Sequence, residues 1–217
     1  MDRITFTPMW LDKPRLARTK VDQLRAAKAT KKEISAAEAE LVAAEASSES
    51  VPRFFIKLAS IIERDQFDAE MEGTYRAAEI APFQLRDIAV EGLTALLEDE
   101  AGELIDLINA EYGGEKLEAK EGAKLKAAID VLAELWPAYR TAREQEARRA
   151  RMVPTLAFMR WCDGWEGLSD RKGVAVEYAR EKGVIPDEIL RRIDPLVIRV
   201  VGLEAYSTQY GQGQAGN

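Results

Sequence analysis

The stretch Pro82-Phe83-Gln84-Leu85-Arg86-Asp87-Ile88-Ala89-Val90-Glu91-Gly92-Leu93-Thr94-Ala95-Leu96-Leu97 decides the fold class. Proline suits the first position of a helix, because its ring presets φ and the N–H it lacks would have no intrahelical partner there. Leu85, Ile88, Ala89, Leu93, Leu96 and Leu97 then recur at helical spacing, which predicts a core helix. Outward from it, a second segment from Glu100 carries Leu104, Ile105, Leu107 and Ile108 and should stop at Gly113-Gly114, where glycine can take a left-handed C-cap. A third covers about Leu117 to Arg151. Leu125, Ile129, Leu132, Leu135, Trp136 and Tyr139 should face inward, and Pro137 should kink or split the helix. The expectation is a mainly α, multi-helix bundle.

Further along, Pro154 is expected to open a new apolar helix, Leu156 to Cys162, that stops at Asp163-Gly164. Val174 to Arg180 reads as a short helix ended near Gly183. Pro186 with Asp187 and Glu188, then Asp194-Pro195, start the last two helices. Toward the N-terminus, Ile4-Thr5-Phe6-Thr7 alternates and should form at most a short edge strand closed by Pro8. Phe54 to Leu58 suggests a second short strand, and Ser60 with Glu63 is a capping box for the helix that follows.

Lys13 to Ala46 reads as one long helix with a thin apolar stripe. Its charge is segregated: Lys13 to Lys32 hold eight basic residues against Asp22, whereas Glu33 to Glu49 hold five acids and no base. An acidic C-terminal half opposes the helix dipole, which suggests a break near Thr30. Ser47-Ser48-Glu49-Ser50 reads as a linker. The expected organisation is residues 1–50 as an N-terminal segment with a long charged helical arm, 51–210 as a helical globular domain, and 211–217 as a flexible tail.

The chain has 217 residues, 47% hydrophobic and 32% charged, with a net charge of −7 and a pI near 5.0. That surface repels phosphate, so nucleic acid is not the expected partner. A single cysteine, Cys162, forbids an intrachain disulfide and fits a reducing cytoplasm. No signal-peptide pattern or long apolar run is present, so neither export by that route nor a membrane span is expected. Histidine is absent. That removes the usual general base near neutral pH, the Ser-His and Cys-His pairs and the commonest metal ligand. The expectation is a non-enzymatic protein without catalytic residues, metal or cofactor.

Several motifs invite a functional reading. Gly211-Gln212-Gly213-Gln214-Ala215-Gly216 matches G-x-G-x-x-G, but no helix can follow it to receive a pyrophosphate. Asp87 to Glu121 holds eleven carboxylates against Lys116 and Lys120; a solvated face is the expected reading, since no calcium loop is present. Cys162 lacks an activating base and reads as a small core residue. Trp161 and Trp165, flanking a glycine turn, are read as core residues that could instead anchor a protein partner. Phe83, Tyr206 and Tyr210 join them as candidate contacts. Lys20, Arg25, Lys28, Lys31 and Lys32 in the basic half of the arm would meet an anionic partner, whether a protein face, the chain's own acids or nucleic acid. A protein partner or self-association is favoured over nucleic acid by the acidic total charge.

Phe83-Gln84-Leu85-Arg86-Asp87, Leu135-Trp136-Pro137-Ala138-Tyr139, Leu156 to Glu166 and Ala205-Tyr206-Ser207-Thr208-Gln209-Tyr210 resemble proteins of the tail-morphogenesis modules of tailed bacteriophages. The resemblance spans roughly residues 52 to 210 and is one of pattern and order. The most similar class is the tail assembly chaperone, a small acidic helical protein thought to keep the tape-measure protein soluble in the host cytoplasm. The resemblance implies a long helical client, and the helices from Pro82 to Tyr139 with the Trp161 to Trp165 turn are expected to supply the apolar surface that such a client needs. The long N-terminal arm departs from that class and leaves a tail or neck component of the virion as the alternative. A nucleic-acid-binding regulator using the basic arm is a second one.

Overall fold

The structure, a computed structural model, describes residues 3–46, 51–181 and 183–210. Its elements run β1 (Arg3–Phe6), α1 (Lys13–Ala26), α2 (Lys31–Ala46), β2 (Arg53–Lys57), α3 (Ile61–Gly73), α4 (Pro82–Leu97), α5 (Gly102–Tyr112), α6 (Ala119–Leu135), α7 (Pro137–Trp161), β3 (Cys162–Glu166), α8 (Asp187–Leu190) and α9 (Pro195–Tyr210), with short 3-10 turns at Met9–Leu11 and Glu98–Ala101. The chain is mainly helical, as expected, with one three-stranded antiparallel sheet. Residues 47–50, read as a linker, and 211–217, read as a flexible tail carrying the glycine pattern, lie outside the described residues.

Contacts group the chain into two compact units, one drawn from residues up to 64 and from 152 onward, the other from residues 65–151. The grouping does not follow the boundary expected near residue 50, because β1 pairs with β2 across it.

In the first unit the sheet order is β1-β2-β3, which makes β1 the expected edge strand. On β2, Phe54 and Ile56 are buried while Arg53 is exposed, the alternation of a strand with one covered face. The helix ends at Trp161, within a residue of the expected stop, but the glycine turn expected at Asp163-Gly164 is corrected to a third strand. Gly164 pairs with Phe55 at φ 151°, and a Cβ there would stand 3.2 Å from the Phe55 ring. The register shifts between Phe55 and Ile56, leaving Asp163 as the extra residue of a bulge. Above the sheet, Phe54, Phe158, Trp165, Val197, Ile198 and Val201 share one core.

Lys13 to Ala46 is a helical hairpin and not one helix. Lys28 takes φ 53° between α1 and α2, and Thr30 and Glu33 cap α2 reciprocally, the Thr30 N–H donating to Glu33 Oε2 at 2.9 Å and the Glu33 N–H to Thr30 Oγ1 at 3.4 Å. The capping box expected at Ser60 and Glu63 opens α3 in the same way.

Two further expectations are corrected. Pro154 lies inside α7 and does not start a helix. Beside it, α9 approaches so closely that a Cβ on Gly202 would sit 1.8 Å from the Pro154 carbonyl oxygen. Val174 to Arg180 is irregular, with one isolated bridge between Ala175 and Ser169, and not helical. The N–H groups of Lys172 and Val174 both donate to Asp170 Oδ1, a side-chain-held turn that competes with helix formation.

In the second unit, Leu85, Ala89 and Leu93 of α4 pack with Ile108 of α5 and Leu125 and Leu132 of α6. Pro137 splits the third helical segment as expected. It holds Trp136 at ψ 100°, outside the helical region, and so ends α6.

Candidate functional site

The basic residues of α1 meet the acids of α2. Arg18 pairs with Glu45 at 2.6 Å, Lys20 with Glu40 at 2.7 Å and Arg25 with Glu38 at 2.6 Å, a descending order that sets the helices antiparallel. Of the three anionic partners considered for this segment, the chain's own acids take Lys20 and Arg25. Lys28 stands in the turn, and Lys31 and Lys32 are exposed in the first turn of α2.

Trp161 and Trp165 are only 0% and 7% exposed, which removes both rings as anchors for an external protein. The Trp165 indole N–H donates to the Val176 carbonyl at 2.6 Å, and its ring stacks on Phe158 and meets Tyr178 edge-on. The Trp161 ring lies 6.2 Å from that of Tyr210, which stacks on Tyr206 at 4.5 Å. The Tyr210 hydroxyl donates to the Arg64 carbonyl at 3.5 Å, so both tyrosines are half-buried parts of the fold.

Cys162 is fully buried, and burial pushes its thiol up to about 12. A thiolate is therefore inaccessible at neutral pH, in keeping with a core residue. Beside it the Arg180 guanidinium donates to the carbonyls of Met159, Arg160 and Cys162, at 3.2, 2.9 and 3.1 Å, and so satisfies the C-terminal end of α7. Arg180 was missed in the sequence because nothing local links it to a helix end some twenty residues earlier.

A cleft of about 560 Å³ in the first unit is lined by Trp10, Lys13, Asp170, Arg171 and Asp194 among others. Its carboxylates are engaged in holding the chain. Hydrogen bonds from the Val174 N–H foremost, then from Lys172 and Arg192, hold Asp170 below the usual carboxylate range. Asp194 accepts from the Leu196 N–H at 2.8 Å and faces Arg171 at 3.7 Å. A third carboxylate of this unit, Glu63, is lowered to about 2, mainly by the Lys57 ammonium and then by the Ser60 N–H.

In the second unit no group of acids among the described residues is arranged to hold a metal ion. Within the acidic stretch, Glu103 pairs with Lys124. Apolar side chains do remain open there. Phe83 is 58% exposed on the first turn of α4. At the far end of α4, a Cβ on Gly92 would lie 2.7 Å from Leu132 and 2.8 Å from Trp136, so α4 and the end of α6 cross with almost no gap. Leu96 and Leu97, about one turn beyond Gly92, and Val131 and Leu135, one position before Leu132 and Trp136, are all more than a third exposed. Leu135 thus corrects its expected inward orientation. It lies about 60° around the helix from Leu132, off the buried stripe. This crossing offers apolar contact area beside acidic side chains.

No protein-family model, no curated protein and no solved structure matches the chain.

Proposed function

We propose that this protein is a non-enzymatic binding and assembly factor that holds a long helical client, in the manner of the tail assembly chaperones it resembles. The observation that carries the reading is the apolar crossing of α4 and α6, where Leu96, Leu97, Val131 and Leu135 stay exposed beside a closed core, with Phe83 the other large apolar side chain exposed among the described residues of this unit. Helix-in-groove recognition uses such surfaces, with side chains one turn apart serving as anchors. The surface lies within the helices from Pro82 to Tyr139 expected to hold the client, whereas Trp161 and Trp165 are buried in the core. The pairing of α1 with α2 counts against a nucleic-acid regulator, since part of the basic charge such a regulator needs is neutralised internally.

Affinity capture of the tagged full-length protein from its producing cells, with mass spectrometry of both the capture and purified particles, tests the reading. Recovery of one long helix-rich protein that is present in particles, while this chain is absent from them, is the expected result. Stoichiometric recovery of this chain inside the particle would replace the chaperone with a structural component. Capture of nucleic acid without a protein would replace it with the regulator.

A further inference from the structure

Residues 65–151 carry 20 acidic side chains against 11 basic ones, whereas the rest of the chain carries 18 against 20. The net negative charge of the molecule therefore resides in the unit that holds the open crossing. The imbalance is sharpest on α4 and α5, since residues 87–115 contain nine carboxylates and no lysine or arginine. At the crossing itself, Glu98, Asp99 and Glu100 follow Leu96 and Leu97, while Asp130 and Glu134 precede Val131 and Leu135. Among the described residues none of these five is in an ion pair.

We propose that the α4–α6 crossing is the docking surface for a basic amphipathic helix of a partner protein. The inference rests on the binding-factor reading and adds the chemistry of the bound segment. Apolar anchors one turn apart on α6 supply contact area, and the five carboxylates next to the anchors in sequence, free of ion pairs, select lysine and arginine on the flanks of the incoming helix. A second copy of this chain using the same face would set five acids against five, a juxtaposition that costs several kcal/mol. Nucleic acid and anionic lipid are repelled by the same field. A partner helix with basic flanks has its charge met at the rim and its apolar stripe covered at the centre, the arrangement found in protein interfaces.

The test uses full-length protein and two synthetic 20-residue helical peptides with identical leucine stripes, one flanked by lysine and one by glutamate. Affinity is read by fluorescence anisotropy at low and high salt. The lysine peptide should bind, and the glutamate peptide should bind at least tenfold more weakly. Val131→Ser with Leu135→Ser should weaken the lysine peptide about tenfold. Asp130→Lys with Glu134→Lys should weaken it at low salt and flatten the salt dependence. All four positions are exposed on α6, Val131 and Leu135 beside its buried stripe and Asp130 and Glu134 on the face opposite it, and circular dichroism checks that the variants fold; Val42→Ser on α2 serves as the control that leaves binding unchanged. Equal binding of both peptides, or binding indifferent to the α6 variants, overturns the proposal. So does self-association that disappears in the Val131→Ser and Leu135→Ser variant, which would make the occupant a second copy. If neither peptide binds while affinity capture still recovers a helical client, this docking site is wrong and the binding-factor reading stands. Capture that recovers no protein removes both.

Discussion

Gly202 is the position at which a single added methyl group would do most damage. The carbonyl it would strike belongs to Pro154, whose ring fixes the backbone of α7 at that point, so neither side has a rotamer to yield. Gly202→Ala should cost about 3 kcal/mol or more, read as a fall in the denaturant midpoint. Only about 1 kcal/mol is expected in the opposite direction from the better helix propensity of alanine, so packing decides the sign. Nothing in the local sequence Val200-Val201-Gly202-Leu203 distinguishes this glycine from a tolerated one. Its role comes from a helix that passes it some fifty residues away in sequence. Trp161, Trp165 and Cys162 were legible as core residues for the opposite reason: their apolar character and neighbours already favoured burial.

At the level of the elements, most helices were legible because their signals are local. Pro82, Pro137, Pro195 and the Ser60–Glu63 box each act within one or two turns, and the structure starts a helix at or beside every one of them. The errors fell where a distant partner overrides the local preference. Cys162–Glu166 forms a strand because β2 waits beside it, with Arg53 and Glu166 bonded 113 residues apart. The hairpin of α1 and α2 was half legible. The charge segregation suggested a break, but its purpose shows only when the two halves fold together. Lys20→Glu alone should destabilise the hairpin by less than about 1 kcal/mol, because the pair is exposed. Glu40→Lys added to it should restore most of that loss in a double-mutant cycle followed by thermal unfolding. Raising the salt concentration should shrink the difference between single and double variants.

Across the whole molecule, the two units differ in how the chain supplies them. Residues 65–151 are continuous and hold their own core, from Leu85 through Ile108 to Leu132. The other unit needs both ends of the chain: Phe54 from one side, Phe158, Trp165 and Val201 from the other. An isolated 65–151 fragment should therefore be helical and unfold cooperatively. An isolated 1–64 fragment should lack a cooperative transition, because β2 would have lost β3 and the helices that cover it. Circular dichroism with urea titration of the two fragments checks both statements. The open side chains of α4 and α6 were only partly legible: sequence periodicity identifies an apolar stripe, but whether another element covers its end depends on where the neighbouring helices stop. Here Trp136 and Pro137 end α6 just as Leu135 turns away from α4.

The split supply of the first unit also imposes an order of events on synthesis. A ribosome releases β1 and β2 well before the strand that pairs with β2 and the helix whose Gln209 amide bonds to the Lys57 carbonyl and the Ala59 N–H. Until then β1 and β2, joined through α1 and α2, present an unpaired edge of β2 while the middle helices are already able to condense. Synthesis that stalls before β3 leaves that edge of β2 open to other nascent chains, so the pairing of Cys162–Glu166 retires an edge exposed since the first strands were made.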